Sequence, residues 1–97
     1  MLSIEEAPGG ALLLVGRLDA AQAPVAQAAL DRITGTATLD LSRLDYVSSA
    51  GLGVLLKTQK RLMSTGGRVR LAGVKPALRD IFVYSGFDQL FEIEPAG

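Results

Sequence analysis

The densest chemical possibility in this sequence lies in six consecutive residues, Ser48-Ser49-Ala50-Gly51-Leu52-Gly53. Two hydroxyls stand side by side just ahead of an amphipathic, helix-forming stretch. The start of a helix presents several backbone N–H groups without internal partners, at the positive end of the helix dipole. A serine there can accept one of those bonds as an N-cap. In one reading, both serines are caps and the glycines let the loop pack closely. In the other, one hydroxyl is a phosphate acceptor. A phosphate adds about −1.5 to −2 charges, and the local N–H groups can hold it without refolding the chain. Its effect would then fall on whatever partner covers the helix start. Spacing alone leaves both readings open.

Two enzymatic alternatives fail on residue type. A phosphate-cradling glycine loop needs a lysine after its last glycine, followed by Ser or Thr; here Val54 and Leu55 follow Gly53. A nucleophile elbow needs a glycine two residues before the serine and a histidine to activate it. Val47 holds that position, and the chain has no histidine and no cysteine. The commonest general base, disulfides and thiolate metal sites are thereby excluded, and the reading is of a non-enzyme with no cofactor. Lys and Arg balance Asp and Glu at 10 each, without the basic surplus that nucleic-acid binding requires. The apolar runs are too short to span a bilayer, and the first residues carry no signal-peptide pattern. The expectation is a cytoplasmic chain with no membrane insertion, and its 97 residues suit one domain over 1–97.

The elements that must position the two serines follow from periodicity. Leu2 and Ile4 alternate with polar neighbours, Ala7-Pro8-Gly9-Gly10 is a turn signal, and Leu12 to Val15 reads as a strand covered on both faces. Pro24 opens a small helix carrying Ala26, Ala29, Leu30 and Ile33, with Gly35 ending it. Thr36 to Leu41 alternates as a strand. Ser42 to Val47 reads as a short connection into a longer helix reaching about Ser64. On that helix Leu52, Leu55, Leu56, Leu62 and Met63 face inward, and Lys57, Lys60 and Arg61 lie away from them. Gly66-Gly67 turns the chain into a strand at 68–72. Pro76 opens a third helix with Leu78, Ile81 and Phe82 inward and Gly86 as a left-handed cap. Phe91 and Ile93 make a last short strand. The order β-β-α-β-α-β-α-β implies an α/β fold with a mixed, partly parallel sheet, its helices gathered mainly on one face by the handedness of the crossovers.

The stretch from Leu39 to Leu56, LDLSRLDYVSSAGLGVLL, closely resembles the signature of STAS domains: a D-L-S strand end, an apolar-aromatic bridge, then D-S-[ST]-G-L or S-S-A-G-L opening a helix. Gly16-Arg17-Leu18-Asp19 resembles the family's G-x-L-D before its first helix. Pro76 to Phe82, with Ser85-Gly86-Phe87, resembles its last helix and cap. The likeness covers nearly the whole chain and implies a partner switch of the anti-sigma factor antagonist type. In that type, an anti-sigma factor serine kinase phosphorylates the motif serine. The unphosphorylated protein captures the kinase and frees the sigma factor for transcription, and a serine phosphatase resets it. Aligning Gly51-Leu52-Gly53 with the family's G-L-G places the acceptor at Ser49. Two positions depart from the commonest pattern: Ser48 stands where Asp is frequent, and Ala50 where Ser or Thr is frequent.

Around Ser49, the resemblance implies partner contacts at Asp19, Ser48, Ala50 and Gly51. Val54, Lys57, Thr58 and Arg61 are read as an outer flank of the long helix and a docking surface. Asp19 also suits an ordinary turn role. Tyr46 is expected to pack under the loop, Tyr84 and Phe87 to be core or rim, and Asp40 and Asp45 are too isolated for a metal site. ATP and magnesium would come with the kinase. Other readings are a docking-only STAS subunit of a lipid-transport ABC complex, untouched by phosphate, and a subunit of a stress-sensing scaffold. A monomer, or a weak homodimer through an open sheet edge, is the expected state.

Overall fold

The computed structural model describes residues 1–95. Its elements are β1 (Leu2–Glu6), β2 (Leu12–Leu18), α1 (Ala23–Leu30), β3 (Ala37–Val47), α2 (Ser49–Met63), β4 (Val69–Val74), α3 (Pro76–Tyr84), a 3-10 turn (Phe87–Gln89) and β5 (Glu92–Pro95). The order is the one expected, with the 3-10 turn added before the last strand. All five strands form one sheet in chain order, β1-β2-β3-β4-β5. β1 runs antiparallel to β2, and the other three pairs are parallel. The mixture follows from the connections. Gly9 and Gly10, at φ 87° and 88°, close a tight reversal between β1 and β2. Each later strand is reached through a helix that returns the chain to the same end of the sheet.

One face of the sheet holds the core. Leu14 and Leu18 of β2, Leu39 and Leu41 of β3, and Val69 and Leu71 of β4 are fully buried in one cluster with Leu30 of α1, Leu55 and Leu62 of α2, and Leu78 and Phe82 of α3. The opposite face carries Leu13, Val15, Asp40 and Arg70 and is half-buried or exposed. The strand at Leu12 to Val15 is therefore not covered on both faces, as its unbroken apolar run suggests. Tyr46 also lies on this open side, with the Arg17 guanidinium 4.5 Å from its ring centroid, rather than under the loop. Tyr84 is 91% exposed and no part of the core, while Phe87 is half-buried against Phe91.

The largest departure from the sequence reading is β3, which continues through the stretch read as a connection and ends only at Val47. Its buried residues are Ala37, Leu39, Leu41, Leu44 and Val47, so the inward spacing changes from two residues to three. The pairing with β2 shows why. Leu13 faces Asp40 but Val15 faces Arg43, and Gly16 faces Leu44 but Arg17 faces Tyr46. At each slip β3 carries one extra residue, a bulge that breaks the two-residue alternation without ending the strand. As a result, β3 delivers the chain directly to Ser48. Smaller corrections follow the same elements. α1 ends at Leu30, short of Ile33, β4 runs on to Val74, and Met63 is 58% exposed rather than inward.

Candidate functional site

Ser48 has extended backbone geometry, φ −83° and ψ 173°, and its Oγ accepts a hydrogen bond from the Gly51 N–H at 3.2 Å. It is the N-cap of α2. Ser49 is the first residue of the helix and exposed, and its hydroxyl makes no hydrogen bond to another described residue. The two serines are thus divided by role: Ser48 holds the helix start together, and Ser49 offers a free hydroxyl at the positive end of a 15-residue helix. No acidic residue lies in the first turn of α2, so nothing within that turn yet answers the dipole. A helix N-cap satisfies one donor only, and the N–H groups of Ser49 and Ala50 have no intrahelical acceptor.

The helix start is fixed against the end of β2. The Ser48 N–H donates to the Leu18 carbonyl at 2.9 Å. Gly51 is buried, and a Cβ there would fall 2.6 Å from Leu18 O and 2.8 Å from Leu18 Cγ. Only a glycine lets α2 approach β2 this closely. Next along the chain, half-buried Asp19 shapes the turn into α1: its Oδ1 accepts from the Gln22 N–H at 3.1 Å, and its carbonyl accepts from Gln22 and Ala23. The structure therefore brings Asp19 alongside the Ser48–Gly51 turn and gives it the turn role.

The predicted flank of α2 divides. Lys57 is exposed, on the side that Ser49 and Gly53 share at successive four-residue steps. Val54, 6% exposed, and Thr58, 1% exposed, are buried instead, and their reading as surface contacts is corrected. α2 is covered on two sides, by the sheet and by α1, so its buried arc is wider than one stripe. Thr58 Oγ1 donates to the Val54 carbonyl at 2.9 Å and accepts from Gln27 Nε2 of α1 at 3.3 Å. Arg61 is corrected as well. Its Nη2 donates to the carbonyls of Leu30 and Ile33, both at 2.8 Å, and its Nε lies 4.0 Å from Asp31 Oδ1. The guanidinium caps the C-terminal end of α1 rather than reaching outward. Gly51, buried, cannot touch a partner through its own surface. Exposed positions left beside Ser49 are Ala50, Gly53 and Lys57. Gly53 was missed as a surface position, although its four-residue spacing from Ser49 was the available signal.

Among the described residues, no group of three or more acidic side chains is placed to hold a metal ion, and no helix is long and apolar enough to cross a membrane. Asp40 Oδ1 instead accepts from the Ser42 N–H, and Asp45 pairs with Lys75 at 2.9 Å.

The family model described as "Mlab, STAS domain" matches residues 4–93. BtrV of Bordetella bronchiseptica, by its name a candidate anti-sigma factor antagonist, is 42% identical over 66 residues, which cover 68% of this chain and 57% of that protein. The chain thus spans a little over half of that curated relative's length. Among solved structures, an anti-sigma factor antagonist from Mycobacterium paratuberculosis superimposes with a TM-score of 0.78 at 24% identity, over 98% of this chain and 85% of that one. The anti-sigma factor antagonist SpoIIAA in its unphosphorylated form gives 0.66 at 21% identity, over 87% of this chain and 83% of that one. At these identities the solved structures establish the shared fold.

Proposed function

The chain belongs to the STAS domain family, and from that premise we propose that it is an anti-sigma factor antagonist switched by phosphorylation of Ser49. Unphosphorylated, it binds an anti-sigma factor serine kinase through the start of α2 and so releases the sigma factor for transcription. Phosphorylated, it lets the kinase go, and a serine phosphatase restores it. The action is binding rather than catalysis by this chain. The observation that carries the reading is the division of labour between the two serines: Ser48 is committed to the cap, and the exposed Ser49 hydroxyl is free for transfer. The name of BtrV points the same way. The neighbouring fold of SpoIIAA has been solved in a phosphorylated form as well as an unphosphorylated one.

The mechanism follows from position. A phosphate on Ser49 would stand outward on the first turn of α2, stabilised there by free N–H groups and the helix dipole. It would occupy the space that a partner covering Ala50 and Gly53 must fill. The partner then meets a doubly charged, strongly hydrated group in its interface, and repulsion and desolvation displace it.

The test is incubation of the purified protein with the anti-sigma kinase of its own genome and ATP, with peptide mass mapping. The expected result is one phosphate on Ser49 and loss of the complex. Ser49→Ala is expected to bind constitutively, and Ser49→Glu to lose at least about ten-fold in affinity, the effect of one uncompensated charge at a buried contact. Equal binding by both variants would reject the switch and leave docking without phosphate, as in a transporter-associated STAS subunit.

A further inference from the structure

The exposed side of α2 changes character along its length. Near Ser49 its surface is small and polar. About two to four turns on, Leu56, Lys60 and Met63 follow at helical spacing and, with Gln59, Gln89 and Leu90, line an open groove of about 490 Å³ between α2 and the 3-10 turn. Met63 is 58% exposed and Leu90 46% exposed, two large apolar side chains turned toward one depression. The buried Gln59 amide is held from both ends by backbone groups, which limits what it can offer an occupant. Its Nε2 donates to the Leu90 carbonyl at 2.5 Å, and its Oε1 accepts from the Val69 N–H at 2.6 Å. What the groove offers an occupant is shape and apolar contact.

The rim has a sign. Lys60 edges the groove, Lys57 lies about one turn nearer Ser49, and Arg68 borders an adjoining cleft of about 550 Å³. None of these three cations has a carboxylate within ion-pair distance among the described residues, and the acid that borders the same cleft, Glu92, is held by Arg70. An apolar trough flanked by unanswered positive charge is complementary to a segment with apolar residues on one side and carboxylates at its edges. We propose that this groove is a second docking surface, taken by an acidic amphipathic segment of a protein partner. The apolar side chains of that segment seat between Leu56, Met63 and Leu90, and its carboxylates face Lys60 and Arg68.

This goes beyond the switch at Ser49. The part of α2 lining the groove begins at Leu56, seven residues from Ser49 or about 10 Å along the helix, and ends at Met63, about 21 Å away; even its near end lies beyond the Debye length of roughly 8 Å at physiological salt. A phosphate at Ser49 leaves the groove unchanged, so a segment docked there stays tethered through the phosphorylation cycle.

The test uses the full chain, isotopically labelled, titrated with two synthetic four-turn peptides that share an apolar Leu face. One carries Glu at its remaining positions and the other Lys. The Glu peptide is expected to shift the amide resonances of Leu56, Lys60, Met63 and Leu90, and the Lys peptide to bind more weakly. Lys60→Glu, an exposed substitution that spares the core, is expected to weaken the Glu peptide about five-fold and to favour the Lys peptide, as one rim pair allows. Ser49→Glu is expected to change neither titration, which separates failure here from failure of the switch. Absence of shifts in the groove, or equal affinity for both peptides, would overturn the proposal. So would a concentration-dependent dimer, seen by sedimentation, that Met63→Ser abolishes; a second copy would then be the occupant.

Discussion

Ser48 and Ser49 are adjacent and chemically identical, yet their backbones give them different tasks. The extended conformation of Ser48 turns its Oγ onto the Gly51 N–H, whereas Ser49 has already entered the helix and points to solvent. Removing the first hydroxyl should therefore cost stability and removing the second should not. Ser48→Ala is expected to lose about 1 kcal/mol, the usual cost of an N-cap, and to melt about 4–8 °C lower. Ser49→Ala is expected to stay within about 0.5 kcal/mol of the natural chain, as exposed substitutions do. Thermal unfolding of the two variants side by side checks this, and equal losses would show that the two hydroxyls share the cap. The same geometry explains why Ser can stand where the family commonly has Asp. Both residues cap about equally well, so the difference lies in the charge beside the phosphate rather than in the helix start.

At the scale of elements, α1 is held by side chains of α2. Arg61 answers the carbonyls of Leu30 and Ile33 at the end of α1, and Gln27 reaches across to Thr58. Arg61→Met keeps much of the aliphatic packing and removes both donated bonds. The expected outcome is a loss of about 1–2 kcal/mol and faster amide exchange in the last turn of α1, with partner affinity per folded molecule unchanged. A loss of affinity without a loss of stability would return Arg61 to the docking surface. This pairing was illegible in the sequence because Arg61 sits among Lys57 and Lys60 and reads as one more solvated cation. Its carbonyl partners lie 28 and 31 residues away. Val54 and Thr58 were misjudged for a related reason. A single apolar stripe assumes one covering layer, and α2 has two. β3 failed differently, because two bulges stretched its inward spacing to three residues and disguised Leu44 and Val47 as a connection. The element order, the serine-capped start of α2 and the end of α3 at Gly86 were legible, since turn glycines, a capping serine and helical spacing are all local signals.

At the scale of the molecule, the contacts that fix the start of α2 among the described residues are made by Ser48, Gly51 and Leu52, while Ser49 is exposed. Ser48 N–H is bonded to Leu18, Gly51 is pressed on Leu18, and Leu52 is buried in the core. A charge added at Ser49 therefore has no packed neighbour to displace, and the switch should operate without a change of fold. The sign of its effect on stability can be worked out. An anion in the first turn of a helix is favourable by about 0.3–1 kcal/mol at low ionic strength, and α2 has no acid there to begin with. Ser49→Glu is thus expected to raise the melting temperature by a few degrees, and this gain should shrink in high salt as the dipole interaction is screened. Partner affinity is expected to move the opposite way, downward, because the same carboxylate enters the interface. Thermal melts at low and high salt, set beside binding of the kinase, measure both quantities on one protein. Opposite signs mean that the partner reads the charge directly on an intact surface. A melting temperature that falls together with affinity would mean that the substitution damages the helix start. The loss of binding would then say nothing for a switch at Ser49.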